Sequence, residues 1–377
     1  MQLRLAGQPL PIVGRARVYV CGITPYDTTH LGHAATFVWA DAAVRLLRHL
    51  GRDVDVTRNI TDVDDDLLAQ ARAQGVPWRS LATQQTYRFE DDVTRLGVLK
   101  PTFEPAAHDY VGEVVDLAAA LLDGGAAYER DGTVYFRGTG VAEAVGLARH
   151  EALALAAERG GRPDDPAKDD PLDAVVWQAS GADEPGWDSP WGRGRPGWHA
   201  ECAAMALATL GAGIDLHGGG ADLAFPHHAY EAALVEAAVG VRPFARAWLR
   251  AGTVLYEGAK MAKSAGNLVF VHDLLDRWPP EAIRLLILQR RWDEPWEFRE
   301  DDLDAAADRV DRLHQLVHHG GAAPAPVDAV VAPLLDGLDV PSALAVAEAS
   351  GGEAAGALCE LLGLGLSRWP ADLPTER

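Results

Sequence analysis

Strands and helices alternate in the N-terminal part of this chain, and this order constrains its fold more than any other feature. Residues 17–23 (Arg-Val-Tyr-Val-Cys-Gly-Ile) predict a short buried strand, and a helical pattern follows from about residue 32 to residue 50. A second strand is predicted over residues 54–60, and a second helix opens at residues 61–62. This order predicts an α/β fold with a doubly wound, Rossmann-like parallel sheet.

The rest of the chain predicts an insertion and a C-terminal helical region. Residues 93–190 contain alanine-rich helical segments and a polar loop at 158–166, and the strand and helix pattern resumes between residues 198 and 239. After residue 298 the sequence is helical and rich in alanine. We therefore expect a catalytic domain over residues 1–300 with an insertion at roughly 93–190, and a small helical domain over residues 301–377.

Charge and cysteine content narrow the function classes. Thirty-four basic residues against fifty-five acidic ones give a net charge of −21, which disfavours nonspecific binding to nucleic acid. The three cysteines are too few and too scattered for a disulfide framework, and no apolar run predicts a signal peptide or a membrane span. We expect a cytoplasmic protein that binds neither nucleic acid nor membranes and whose free thiols are available to a metal. The sequence leaves the oligomeric state open, with a monomer favoured.

The first candidate site follows the first predicted strand, in the segment Thr-Pro-Tyr-Asp-Thr-Thr-His-Leu-Gly-His at residues 24–33. A helix that starts near Gly32 exposes unpaired amide groups and the positive end of its dipole, which favours phosphate binding. His30 and His33 could donate hydrogen bonds to the same phosphates. Two surface histidines at a helix start are the alternative interpretation of this segment.

The second candidate site is a glycine-flanked loop at residues 256–268 that carries Lys260 and Lys263. The chain contains thirty arginines but only four lysines, so two lysines within four residues indicate a position that requires a compact positive charge. Such charges would stabilise a departing pyrophosphate. A solvated basic loop is the alternative interpretation.

A third candidate site combines residues that are distant in sequence: Cys21, Cys202, His227 and Glu231. His227 and Glu231 are four residues apart, so both lie on one face of a helix. Two thiolates, an imidazole and a carboxylate suit Zn²⁺. Two distant cysteines alone do not establish a metal site.

A phosphate site after the first strand and a lysine loop far downstream together resemble the class I aminoacyl-tRNA synthetases. Residues 30–33 resemble their HIGH motif, with Leu31 for isoleucine, and residues 260–264 resemble their KMSKS motif, with Ala262 for serine. The resemblance implies activation of an amino acid by ATP, with Mg²⁺ bound to the ATP. The catalytic residues that it implies are His30, His33, Lys260 and Lys263.

Several further segments resemble cysteinyl-tRNA synthetase, and the resemblance extends from about residue 15 to residue 300. They include Asn-Ile-Thr-Asp-Val-Asp-Asp at 59–65, Pro-Gly-Trp-His-Ala-Glu-Cys at 196–202 and His-Gly-Gly-Gly-Ala-Asp at 217–222. The resemblance implies that Zn²⁺ binds the thiol of an L-cysteine substrate. The implied zinc ligands are Cys21, Cys202 and His227, with Glu231 as a candidate fourth ligand.

Three segments resemble the mycothiol ligases, a related family that joins cysteine to the amine of glucosaminyl-inositol. They are Cys-Gly-Ile-Thr-Pro-Tyr-Asp at 21–27, Glu-Arg-Gly-Gly-Arg-Pro at 158–163, with Arg162 in place of an acid, and Trp-Asp-Glu-Pro-Trp-Glu-Phe at 292–298. This implies a ligase whose partners are ATP, L-cysteine and an amino-sugar acceptor. The residues that would bind cysteinyl-adenylate are Cys21, Gly22, Ile23, Thr24, Thr36, Asn59, Ile60, Thr61, Trp198, Gly220, Ala221, Asp222 and Val254.

Two alternatives remain open: a shortened cysteinyl-tRNA synthetase and a ligase that acts on another amine. A tRNA enzyme needs a basic surface for the anticodon limb, yet residues 313–377 contain only two arginines or lysines, Arg368 and Arg377, against eight acidic residues. Glu231, which matches a zinc ligand of the tRNA enzymes, and Arg162 keep the ligase for another amine open. A non-catalytic binding protein is disfavoured because the predicted nucleotide and metal residues are all present.

Overall fold

The computed structural model describes residues 2–26, 29–261 and 266–365. The strands in this part of the chain are β1 (Arg4–Leu5), β2 (Gln8–Pro9), β3 (Ala16–Ile23), β4 (Val54–Ile60), β5 (Ala127–Arg130), β6 (Thr133–Phe136), β7 (Ala174–Ala179), β8 (Gly194–Pro196), β9 (Ile214–Gly220), β10 (Ala245–Ala251), β11 (Val254–Tyr256), β12 (Ala259–Lys260) and β13 (Trp296–Glu297). The α-helices are α1 (Leu31–His49), α2 (Asp65–Gln74), α3 (Trp78–Arg95), α4 (Val111–Asp123), α5 (Val141–Ala144), α6 (Arg149–Glu158), α7 (Trp198–Leu210), α8 (Ala229–Val239), α9 (Val271–Leu275), α10 (Pro280–Leu288), α11 (Asp301–His319), α12 (Asp328–Leu335), α13 (Val340–Ser350) and α14 (Gly352–Leu362).

The central sheet has the strand order β10-β9-β3-β4, and every neighbouring pair in it is parallel. A parallel pair needs a crossover connection, which α1 provides between β3 and β4. The predicted parallel α/β sheet is therefore confirmed. The second helix begins at Asp65 rather than at residues 61–62, because Asp64 caps it by accepting a 2.8 Å hydrogen bond from the N–H of Asp66.

Alternate side chains of β3 point into two different hydrophobic cores, as the period of a strand requires. Val18 and Val20 belong to the core that contains α1. Tyr19 and Cys21 belong to the core that contains α7. Cys21 therefore lies on the face of the sheet covered by the helix that carries Cys202.

A second sheet, with the antiparallel order β5-β6-β7-β8, follows the first two strands of the central sheet. Helices α4 and α7 pack against it, so it joins the α7 side of the molecule. Its last strand, Gly194–Pro196, leads directly into α7. The predicted insertion at 93–190 covers most of this sheet, and the exact limits of the insertion stay a prediction.

The helices after residue 300 share one hydrophobic core with α1 and α10. Arg284 on α10 is buried, and its Nη2 lies 2.6 Å from Asp41 Oδ2 on α1. Its Nε and Nη2 also donate to the carbonyl oxygen of Leu362 on α14, at 2.9 and 2.8 Å. These bonds connect the C-terminal helices to the helix that begins at the candidate phosphate site. The division into domains at residue 300 stays a prediction.

Within the described residues, no helix combines the length and the apolar character that crossing a membrane requires.

Candidate active site

A cavity of about 810 Å³ opens at the carboxyl ends of the central parallel strands. Ile23, Gly220 and Ala251, the last residues of β3, β9 and β10, line it. The first turn of α1 and the segment 156–162 form other parts of its wall. Open parallel sheets bind their ligands at this edge, so the cavity is the candidate active site.

His30 is the N-cap residue of α1, and its Nδ1 accepts a 3.1 Å hydrogen bond from the N–H of Gly32. Burial, together with the neighbouring His33, lowers the pKa of His30 to about 2. The two rings stack with their centroids 3.7 Å apart. A neutral imidazole whose Nδ1 accepts carries its hydrogen on Nε2. His30 is therefore a neutral hydrogen-bond donor beside a helix N-terminus.

Cys21, Cys202 and His227 come from three different elements, and their ligand atoms all lie within 4.8 Å of one another. All three residues are buried. Burial lowers the pKa of His227 well below its usual value, which keeps the imidazole in the neutral form that ligates metals. Its Nδ1 lies 3.0 Å from Nδ1 of His199, which leaves Nε2 of His227 for a ligand. The arrangement fits a metal that takes soft sulfur and nitrogen donors.

Glu231 lies beside the same cluster and is fully buried. Its Oε2 is 2.9 Å from Nε2 of His217 and 3.8 Å from Sγ of Cys21. Cys21, His217 and His228 form a second set whose ligand atoms lie within 4.8 Å of one another. The structure thus brings Glu231 to Cys21 and His217, and its role as a fourth metal ligand stays a prediction.

Asn59 on β4 contacts both cysteine-bearing segments of the cluster. Its Oδ1 accepts a 2.9 Å hydrogen bond from the N–H of Gly22, and its Nδ2 lies 3.3 Å from Sγ of Cys202. A Cβ atom at Gly22 would lie only 1.7 Å from the carbonyl oxygen of Asn59, so this close approach of two strands requires glycine. Asn59 fixes the thiol of Cys202 without lining the cavity itself.

Asp222 connects three parts of the cavity wall. Its Oδ2 lies 2.8 Å from Nζ of Lys260 and 3.4 Å from Nη1 of Arg159. Burial acts to raise the pKa of Asp222, but the nearby Lys260 and Arg159 outweigh it and lower that pKa. The carboxylate therefore stays charged and joins the start of the lysine loop to the segment that follows α6.

Most of the predicted nucleotide residues line the cavity: Cys21, Gly22, Ile23, Thr24, His30, His33, Thr36, Trp198, Gly220, Asp222, Val254 and Lys260. Four predicted residues do not: Asn59, Ile60, Thr61 and Ala221. Thr61 lies behind Thr24, with their Oγ1 atoms 2.7 Å apart. Lys263 is outside the described residues.

Several charged residues of the cavity wall received no catalytic or binding role from sequence reasoning, among them Asp64, Arg159, Lys168 and Glu201. Burial raises the pKa of Asp64 to about 7 and the pKa of Glu201 well above its usual range. Glu201 directly precedes the predicted ligand Cys202 in the segment Pro-Gly-Trp-His-Ala-Glu-Cys. Membership of that segment was the available signal, whereas nothing local in the sequence distinguishes Asp64 from the aspartates beside it.

The fold and the cavity are those of a class I synthetase. Residues 11–308 match the family model described as the tRNA synthetases class I (C) catalytic domain. The structure is similar to Mycobacterium tuberculosis methionyl-tRNA synthetase in complex with methionyl-adenylate, with a TM-score of 0.64 and 16% identity over 93% of this chain and 82% of that one. It is also similar to the agnB2 LeuRS of Agrobacterium radiobacter K84, with a TM-score of 0.65 and 10% identity over 93% of this chain and 83% of that one.

The sequence has much closer relatives among proteins named L-cysteine:1D-myo-inositol 2-amino-2-deoxy-alpha-D-glucopyranoside ligase. The protein of that name from Frankia casuarinae is 46% identical over 341 residues, which cover 89% of this chain and 73% of the relative. The one from Streptomyces griseus is 44% identical over 352 residues, which cover 92% of this chain and 85% of the relative. The chain belongs to this family, the mycothiol ligases.

Proposed function

We propose that this protein uses ATP to activate L-cysteine as cysteinyl-adenylate and then joins the cysteinyl group to the amine of glucosaminyl-inositol. One observation carries the proposal: a cluster of two thiols and an imidazole meets a helix N-terminus with a neutral histidine at a single cavity. Cys21 connects the cluster to the cavity, because it is a member of the cluster and also lines the cavity. The names of the relatives supply the two substrates, cysteine and the amino sugar.

In the proposed first step, a carboxylate oxygen of cysteine bonds to the α-phosphorus of ATP and pyrophosphate leaves. The positive end of the α1 dipole would attract the phosphates, and the Nε2–H of His30 would donate to their oxygens. The N–H groups of Leu31 and Gly32 already donate to the carbonyl oxygen of Val269 and to Nδ1 of His30. Lys260 lines the same cavity and would stabilise the charge that accumulates on pyrophosphate. Mg²⁺ enters this step as part of the ATP substrate.

The cysteine cluster would select the side chain of the substrate. Two thiols and an imidazole with its Nε2 available are a donor set typical of Zn²⁺, so the residues fit this ion. Zinc bound there would hold the thiolate of cysteine, for which the hydroxyl of serine is a poor substitute. Asn59 and His199 orient Cys202 and His227 through the hydrogen bonds described above.

In the proposed second step, the amine nitrogen of the acceptor bonds to the cysteinyl carbonyl carbon, the bond to the phosphate oxygen breaks, and AMP leaves with that electron pair. The amine loses one proton in forming the amide. An adenylate is already activated, so the main requirement is to hold a neutral amine close to the carbonyl. The pKa of an amino-sugar amine is lower than that of lysine, so a neutral fraction is available near neutral pH.

The acceptor would enter between the central sheet and the segment at 156–162, which supplies donors for sugar hydroxyls. Arg159, Arg162 and Lys168 line the cavity on that side. A tRNA acceptor is less compatible with the charge of the C-terminal region: residues 320–365 contain six acidic residues and no lysine, arginine or histidine. The proposal therefore favours the amino sugar over tRNA and predicts the cytoplasm, where ATP and cysteine are available, as the location.

The proposal is tested by supplying ATP and cysteine with either glucosaminyl-inositol or the matching tRNA, and by following AMP release and the acylated product. We expect amide formation with the sugar and no charging of tRNA. Replacing cysteine by serine is the matched substrate control, because serine lacks only the thiol. Charging of tRNA at a comparable rate would instead assign a compact cysteinyl-tRNA synthetase, and adenylate formation with neither acceptor would assign a ligase for another amine.

A further inference from the structure

Asp62, Asp64, Asp65 and Glu201 form an acidic cluster, and all of them except Asp62 line the cavity. Asp62 and Asp65 have protein partners. Asp65 lies 2.7 Å from Nη2 of Arg195. Asp62 accepts a 3.0 Å hydrogen bond from the N–H of His108 and also contacts the ring of that residue. These carboxylates are explained by the fold, because each has a hydrogen-bond donor or a cation beside it.

Glu201 differs from the other acids in this cluster. Its side chain is buried, with 1% of the residue exposed, and it lines the cavity. Neither of its carboxylate oxygens has a hydrogen-bond partner among the described residues. A buried carboxylate without a partner is costly, so its retention at a cavity wall indicates that a ligand supplies the missing donor.

Asp64 lies on the same part of the cavity wall and is also without a cation. Its Oδ1 accepts a 2.8 Å hydrogen bond from the N–H of Asp66, at the start of α2. The cation beside this cluster, Arg195, binds Asp65 and Glu184. Asp64 and Glu201 thus present two carboxylates to the cavity without a protein counter-charge in the described part of the chain.

The chemistry of the missing ligand follows from this geometry. In the described ranges, both sets of three or more groups that could hold a metal contain Cys21, and neither includes Asp64 or Glu201. A primary ammonium has three N–H donors and one positive charge, so it can satisfy two carboxylates at once. We propose that Asp64 and Glu201 together bind the primary ammonium group of a substrate and set the position of that substrate in the cavity.

This inference rests on the proposed function, in which two substrates carry a primary amine: cysteine itself and the amino-sugar acceptor. Both amines are largely protonated near neutral pH, and both must lie near the carbonyl carbon of the adenylate; the acceptor amine then reacts through its neutral fraction. Glu201 directly precedes Cys202 in α7 and lies close enough to interact electrostatically with it, so Glu201 lies near the proposed thiol site. The carboxylates would thereby orient one amine relative to that carbonyl.

The experiment compares cysteine with 3-mercaptopropionate, which has the same thiol and carboxylate but no amine. Binding of each is measured by calorimetry on zinc-loaded wild type, Glu201→Gln and Asp64→Asn, and amide formation is measured with glucosaminyl-inositol. Asparagine at position 64 can still cap α2. Asp215→Asn is the matched control, because Asp215 is a buried carboxylate that bonds the N–H of Arg17 and lies away from the cavity.

If the carboxylates bind the amine of cysteine, both variants lose roughly 10- to 100-fold in affinity for cysteine and bind 3-mercaptopropionate as wild type does. If they bind the amine of the acceptor, affinity for both thiols is unchanged and kcat/KM for the acceptor falls by roughly the same factor. The inference is overturned if neither quantity changes, or if both thiols lose affinity equally, as they also would from a general disturbance of the fold. The activity of the wild-type enzyme tests the proposed function, whereas the variants test the binding of the ammonium group, so the two hypotheses can fail independently.

Discussion

Replacing His30 tests whether a neutral histidine donates to the phosphates from the start of α1. His30 has two separable roles in the structure. Its Nδ1 caps the helix by accepting from the N–H of Gly32, and its Nε2–H is directed to substrate in the proposed mechanism. Asparagine can perform the first role, because its side-chain oxygen caps helices well, but it lacks the ring Nε2–H. Alanine can perform neither role.

The two roles have different expected magnitudes. Loss of the cap should lower the free energy of unfolding by about 1 kcal/mol in His30→Ala and by much less in His30→Asn. Loss of a preorganised donor to charge that develops in the transition state should slow adenylate formation by roughly 100- to 1000-fold in both variants. Equal rate loss with unequal stability loss is therefore the expected result.

Adenylate formation is measured by cysteine-dependent exchange of pyrophosphate into ATP, and stability by urea unfolding. His318→Asn is the control, because His318 is exposed on α11 and outside the cavity. An exchange rate in His30→Asn equal to that of wild type would refute the donor role. An acid limb near pH 6.5 in the wild-type rate that disappears in His30→Asn would refute the neutral state, because the pKa of His30 is lowered to about 2.

The same lowered pKa has a consequence for stability. Between the usual histidine pKa of 6.5 and the folded value of about 2, the unfolded chain binds a proton at this position that the folded chain does not. The contribution of His30 to stability is therefore complete above pH 6.5 and is lost as the pH falls through this window. The variant His30→Asn removes this term, so its unfolding free energy should fall less steeply with acid than that of wild type.

Three further predictions concern the metal cluster, the lysine loop and the buried ion pair. Cys202→Ala should abolish stoichiometric zinc binding, measured by metal analysis, and with it the preference for cysteine over serine in pyrophosphate exchange; retained zinc would contradict the ligand assignment. Lys263→Ala should slow exchange on the order of 100-fold with little change in cysteine affinity by calorimetry, and an unchanged exchange rate would exclude its role. Arg284→Met should lower the unfolding free energy in urea by about 3 kcal/mol, because buried Asp41 loses one of its two cationic partners in the described part of the chain and keeps Arg45 and the N–H of Leu99; a loss below about 1 kcal/mol would contradict this.

The strand and helix pattern of the sequence was sufficient for the central sheet, whereas the cysteine cluster was predicted only through the resemblance to cysteinyl-tRNA synthetase. The two-residue period of β3 separates Val18 and Val20 from Tyr19 and Cys21, and the structure directs these pairs to opposite faces of the sheet. Once Cys21 is assigned to the α7 face, its approach to Cys202 follows from the packing of that helix on the sheet. Local periodicity thus carried long-range information, because a parallel sheet has only two faces.

Contacts that join distant loops could not be predicted in the same way. The approach of Arg159 and Lys260 to Asp222 depends on how the segment after α6 folds back over the sheet, and no periodic pattern encodes that path. The sequence also does not predict that the Glu201 carboxylate lacks a hydrogen-bond partner among the described residues. A glutamate on a helix is usually solvated, and only the packing of α7 shows that Glu201 is buried. Sequence motifs identified which segments meet, whereas charge pairing within the cavity required the coordinates.

The cavity wall carries both positive and negative charges, and cysteinyl-adenylate, the proposed intermediate, carries a phosphate and an ammonium group of the opposite signs. Lys260 and the N-terminus of α1 give the cavity wall positive charge that would suit the phosphate of an adenylate, and Asp64 and Glu201 give it negative charge that would suit an amine. A cysteinyl-adenylate carries its phosphate and its ammonium on opposite sides of the reactive carbonyl. Opposite charges on the wall of one cavity would therefore orient the intermediate without contacting the carbonyl, which stays open to the incoming amine. By this argument, reversing either charge should impair orientation more than affinity, as a fall in kcat larger than any rise in KM.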